Sequence, residues 1–161
     1  MKLSVLIFFS SLIIFAGCSV YTFNPKGKSA YSSIGVDRFG NRTGEYGLED
    51  RMTDQIIDAL IADGSMDVVP VENAQVRLEG TLTRYERSPY NPDQNDQVTQ
   101  YAVTMHFEIM LVNSATDSTI WVENINKLGV YNVEDETEDV GQLDAIDQLV
   151  EYILNKTTKS W

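Results

Sequence analysis

The chain has very little of the residue types that carry most protein chemistry. One cysteine, Cys18, occurs in 161 residues, so no disulfide can form within the chain. His106 is the one histidine, which leaves no second imidazole for a metal cage or a nucleophile–base pair. Basic residues number 12 against 24 acidic ones, a formal net charge of −12. So acidic a chain lacks the field that displaces counterions from nucleic acid, and its general surface is ill suited to anionic lipid. Gly-rich phosphate loops, nucleophile elbows and internal repeats are also missing from the sequence.

What is present begins at the N-terminus. Met1-Lys2 supplies a positive charge, and Leu3 to Phe15 is an almost uninterrupted apolar run. That run is shorter than the about 20 apolar residues a membrane-spanning helix needs, and it reads as a secretory signal peptide. It ends in Phe15-Ala16-Gly17-Cys18, which resembles the lipobox of bacterial lipoproteins, with Phe15 where Leu is commonest. The resemblance implies cleavage between Gly17 and Cys18 and a diacylglyceryl thioether on Cys18. It also implies outer-membrane sorting, because Ser19 rather than Asp follows the cysteine. An ordinary secreted protein with one buried thiol is the plainer alternative. Each buried methylene contributes about 0.8 kcal/mol, so two or three acyl chains hold a protein far more firmly than one. The expected organisation is a signal peptide over 1–17, a lipidated linker over 18–29, and a single domain over 30–161. No disulfide is needed to stabilise a domain of that length.

Within that domain, Tyr31 to Phe39 alternates as a strand, and Gly40-Asn41-Arg42-Thr43-Gly44 has turn chemistry. Leu48, Met52, Ile56, Ala59 and Leu60 make one helical stripe, which Ile57 and Ile61 widen, and Asp63-Gly64 stops it. Met66 to Val71 is a short edge strand at most, because of Pro70. Strands follow over 76–87, 98–113 and 119–130, and the segment from Ser88 to Asp93 is expected to break the first of them. Tyr101, Val103, Met105, Phe107, Ile109 and Leu111 share one face of the longest strand. The acidic stretch Glu134 to Asp139 precedes a last helix whose stripe is Leu143, Ile146, Leu149, Val150, Ile153 and Leu154. The expected fold is α+β, a two-layer sandwich. Two helices pack on one face of a mostly antiparallel four-stranded sheet, in the order β-α-β-β-β-α, with room for an extra short edge strand.

Few residues suggest chemistry. His106 falls on the less apolar face of its strand, and the sequence shows no metal-ligand spacing and no catalytic constellation. Glu134 to Asp139 lacks the glycine and ligand spacing of a calcium loop, and reads as a solvated turn. No enzyme and no cofactor are expected. Arg84, Tyr85, Arg87 and Tyr90 cluster along one segment, a candidate partner or anion contact in an acidic domain. A solvated strand end with aromatic caps accounts for the same residues.

Phe39-Gly40-Asn41-Arg42-Thr43, then Tyr46-Gly47-Leu48-Glu49 and a helix, resembles the LptE family of lipopolysaccharide-assembly lipoproteins. Val76-Arg77-Leu78-Glu79-Gly80-Thr81-Leu82, Gln97 to Tyr101, and Ile120-Trp121-Val122-Glu123 match later segments of that family in order. The resemblance implies an outer-membrane lipoprotein, facing the periplasm or seated inside its partner. That partner is an LptD-type β-barrel, which the lipoprotein plugs, helps to fold, and helps to deliver lipopolysaccharide. No catalytic residue, metal or cofactor comes with the family. Lipopolysaccharide is anionic, so contact with this acidic domain is expected to be local, at Arg84 or Arg87. Lipoproteins of the curli-secretion or penicillin-binding-protein-activator type share the opening strand, F-x-N-x-T and helix, and form the competing reading. A small enzyme or ligand carrier is a third.

Overall fold

The computed structural model describes residues 30–92 and 97–158. Its elements are β1 (Ser33–Val36), β2 (Gly40–Asn41), α1 (Leu48–Asp63), β3 (Asp67–Val68), a 3-10 turn (Val71–Asn73), β4 (Val76–Tyr90), β5 (Gln100–Asn113), β6 (Ser118–Asn132) and α2 (Glu138–Thr158). The domain is α+β, with the long strands β4, β5 and β6 in an antiparallel meander as their short connections require.

The sheet is larger than the four antiparallel strands expected, and it is mixed. Its order is β3-β1-β4-β5-β6, with β2 also paired to β4, so it has six strands. β1 runs parallel to both β3 and β4, and β2 runs parallel to β4. The physical reason is the helix: β1 and β2 reach β4 only after the chain crosses through α1, which returns it in the same direction. The single strand expected over 31–39 is also divided. Between β1 and β2 the chain leaves the ladder, and Phe39 drops into the core at 1% exposure. Gly80 permits this, because a Cβ there would lie 2.1 Å from the Phe39 ring. Gly40-Asn41, expected as turn, therefore pairs with Thr81 and Leu82 as β2.

β4 does not break at Ser88 but continues through Pro89 to Tyr90. Arg42 N–H donates to the Leu82 carbonyl, after which β4 has β5 alone as a neighbour. A bulge between Leu82 and Arg84 switches which residues bond to β5, so position 89 turns its amide side to the open edge. Proline is tolerated there, since no ladder donor is lost.

One core joins the layers. Val103, Met105, Phe107, Ile109 and Leu111 on β5 pack under Met52, Ile56 and Leu60 of α1 and Ile146, Leu149 and Ile153 of α2. Four residues expected in the helical stripes lie outside it: Ile57 and Ala59 are half-buried, Ile61 is 61% exposed and Leu143 38% exposed. Each helix buries a narrower face than its apolar stripe. Thr53, a polar residue, is buried instead; its hydroxyl accepts from Phe39 N–H at 2.9 Å and donates to the Glu49 carbonyl at 2.7 Å. Gly129 allows α2 to touch β6, because a Cβ there would meet the Gly141 carbonyl oxygen at 1.9 Å.

Candidate interaction surface

Sheet alternation separates the four clustered residues singled out in the sequence. Tyr85 and Arg87 lie opposite Met105 and Val103, on the face that carries the helices. Arg84 and Tyr90 lie opposite His106 and Gln100, on the other face. The bulge at Thr83 decides this, by changing the face on which the following residues fall. The sequence cluster is therefore two surfaces rather than one anion site.

On the helix side, Tyr85 donates its hydroxyl to Glu138 and accepts from Gln142 Nε2 at 3.0 Å. Burial first, and the Glu138 carboxylate second, raise its pKa above the ordinary phenol range, so the hydroxyl stays protonated. Arg87 lies 3.7 Å from the centre of the Tyr101 ring. Its Nε donates to the Tyr131 hydroxyl at 2.5 Å, and it pairs with Glu138 at 3.3 Å. Tyr101 and Tyr131 stack with centroids 6.2 Å apart. The result is a layered edge of guanidinium and rings that ties the first turn of α2 to the far end of the sheet. Nothing in the sequence pattern marks Tyr101, Tyr131, Glu138 and Gln142 as partners of this segment. Only the strand register and the return of α2 bring them together.

On the opposite face, Arg84 pairs with Glu86. His106 Nε2 is 3.4 Å from Glu86 Oε2 without hydrogen-bonding geometry, and is buried without a hydrogen-bond partner. The acids from Glu134 to Asp139 do not gather around a cation position: among the described residues no group of three or more His, Cys, Asp or Glu side chains does. Two pockets open elsewhere. One of about 410 Å³ lies between Tyr31, Gly64, Met66 and Gln75, and one of about 260 Å³ lies at the gap between β1 and β2. In the second, Asp37 faces Glu79; partial burial first, then that like charge, raise the Asp37 pKa, while Arg77 opposes the shift. Gly17 and Cys18 lie outside the described residues.

The motif that opened the family resemblance proves to be a joint. Asn41 Nδ2 donates to the Glu45 carbonyl at 2.6 Å and to Glu49 Oε2 at 3.0 Å. Its Oδ1 accepts from Thr43 N–H at 2.9 Å and from the Thr43 hydroxyl at 2.7 Å. Phe39, Asn41 and Thr43 thus set the approach of β2 to α1.

Geometry alone places the chain in a class, a two-layer α+β domain with both helices on one side of a mixed sheet. Solved structures share that fold. Protein XCC0632 from Xanthomonas campestris matches with a TM-score of 0.61 at 11% identity, over 87% of this chain and 90% of that one. Lipoprotein B from Nitrosomonas europaea matches with a TM-score of 0.57 at 9% identity, over 86% and 93%. The PelC dodecamer from Paraburkholderia phytofirmans matches with a TM-score of 0.53 at 16% identity, over 80% and 89%. No curated protein matches in sequence. The particular family follows from the sequence model described as "LptE: Lipopolysaccharide-assembly", which matches residues 31–157. The chain belongs to the LptE family.

Proposed function

We propose that the chain is an outer-membrane lipoprotein, anchored through lipid on Cys18, that plugs an LptD-type β-barrel and assists its assembly for lipopolysaccharide transport. The observation that carries the reading is the LptE family match, which runs through every described strand and both helices. The role is structural rather than catalytic, and uses no cofactor. Attachment to the membrane comes, on this reading, from the anchor at Cys18; among the described residues no helix is long and apolar enough to cross a membrane. Arg84 and Arg87 each have an acidic neighbour, Glu86 and Glu138, and any lipopolysaccharide contact through them is local and one-sided.

A second reading, a ring-forming secretion lipoprotein, is favoured by one observation, the likeness in fold to the PelC dodecamer. A mild-detergent pull-down of the tagged chain from its native membrane separates the two. A large β-barrel recovered near one-to-one supports the plug. Recovery of a cell-wall synthase, or of a large ring of this chain alone, overturns it.

A further inference from the structure

Among the described residues the sheet has two long open edges, and they differ in how they are guarded. Past Leu82, β4 turns an edge to solvent, but Pro89 removes a donor from it and Arg84, Glu86 and Arg87 line it with charge. Those are the usual devices against unwanted strand pairing. β6 has almost none of them. It is 15 residues long, contains no proline, and pairs with β5 in unbroken register from Trp121 to Asn132. Its two charged residues, Glu123 and Lys127, point to the helix side, toward Lys156 and the Tyr152 ring.

Register identifies the groups on offer. Val133 N–H donates to the Thr99 carbonyl, which makes the odd-numbered residues of this stretch the ones that bond to β5. The amides and carbonyls of Val122, Asn124, Asn126 and Leu128 therefore face outward from the sheet. One of those carbonyls, that of Leu128, is capped by Gln148 Nε2 of α2 at 2.7 Å. The side chains of Val122 and Leu128 are exposed on the open face, at 52% and 39%. Above the edge stand acids. Gln148 also donates to Asp144 Oδ1 at 3.2 Å, which fixes Asp144 at this margin, and Glu151 follows two turns along the same helix face. Both are exposed, and neither has a cation partner among the described residues.

We propose that the β6 edge docks an extended basic segment of a partner protein, which joins the sheet as a further strand. Its alternate residues are cationic toward Asp144 and Glu151, and apolar toward Val122 and Leu128. A second copy of this chain fits poorly, because it would bring two acidic α2 flanks together. This edge is separate from the barrel reading, and its test does not depend on that reading.

The test uses the full chain as isolated from its native membrane in mild detergent, and a blocked eight-residue peptide of alternating lysine and valine. Amide hydrogen exchange should slow at least tenfold at Val122, Asn124, Asn126 and Leu128 when the peptide is added. Asn126→Pro, which removes an outward donor without touching the β5 ladder, should weaken peptide binding at least tenfold. Asp144→Lys with Glu151→Lys, both on the surface, should weaken it comparably and covers the case in which the proline variant does not fold. A glutamate–valine peptide should not bind. Binding without amide protection, or binding indifferent to Asn126→Pro in a folded protein, would mean simple adhesion to an acidic surface and would sink the proposal. So would a doubled mass without peptide that Asn126→Pro abolishes, since the edge would then pair with a second copy.

Discussion

At the scale of single residues, position in the sheet decides what each charge does. Asp37 sits at the gap between β1 and β2, 3.5 Å from Arg77 and facing Glu79. Its pKa is raised in the folded state by partial burial and by Glu79. A carboxyl whose folded pKa exceeds its unfolded value binds its proton more tightly when folded, so its contribution is favourable in acid and lost as pH rises through the folded pKa. Asp37→Asn is therefore expected to stabilise the domain at pH 7 and to have little effect at about pH 2.5, where both states are protonated. With the side chain 43% exposed, solvent screening keeps the gain below about 1 kcal/mol. Urea unfolding at the two pH values measures it; an equal effect at both would refute the electrostatic account.

At the scale of elements, the joints carry the architecture. The first turn of α2 is held by Tyr85 through Glu138 and Gln142, and the start of α1 by Asn41 through Glu45 and Glu49. Tyr85→Phe keeps the ring but deletes the hydroxyl, leaving Glu138 Oε1 and Gln142 Nε2 to find water while Glu138 Oε2 keeps Arg87. The expected cost is about 1–2 kcal/mol, in line with loss of one charge-assisted hydrogen bond. Faster amide exchange at Gly141 and Gln142 than at Leu149 and Ile153 would place the loss at the helix start. A uniform change along α2 would mean that Tyr85 acts only through global stability.

At the scale of the whole molecule, the two ends of the sheet differ in what lies beside them. β1 starts beside Val76, so the chain arrives from residue 30 at one end, and the Arg87–tyrosine edge lies at the other. At about 3.3 Å per residue, Val76 to Arg87 spans about 36 Å. Under the proposed function, an anchor at Cys18 would hold the first end nearer the membrane than the second. Cys18→Ser is expected to abolish lipidation and shift most of the protein from the membrane fraction to the soluble one. Metabolic labelling with a radioactive fatty acid and fractionation check both. Retention in the membrane without label would show that a protein partner, not lipid, provides the attachment.

Period-two alternation in 98–113 and the helical stripes at Leu48–Leu60 and Ile146–Ile153 determined, from sequence alone, the meander, both helices and most of the core. The family was legible from several segments taken in order, Phe39 to Thr43, Tyr46 to Glu49, Val76 to Leu82, Gln97 to Tyr101 and Ile120 to Glu123, because F-x-N-x-T by itself is shared with other lipoproteins. Strand pairing between distant segments did not follow. The parallel partnership of β1 and β2 with β4 depends on how α1 returns the chain, and the burial of Phe39 depends on an absent side chain at Gly80, 41 residues away. The candidate contact residues were divided for a related reason. A single bulge at Thr83 reverses which face each later side chain takes, and nothing in the period-two pattern marks it. Tertiary structure alone set Arg87 among Tyr101, Tyr131 and Glu138 and left β6 as an edge capped only at the Leu128 carbonyl among the described residues, because both depend on what lies beside a strand rather than along it.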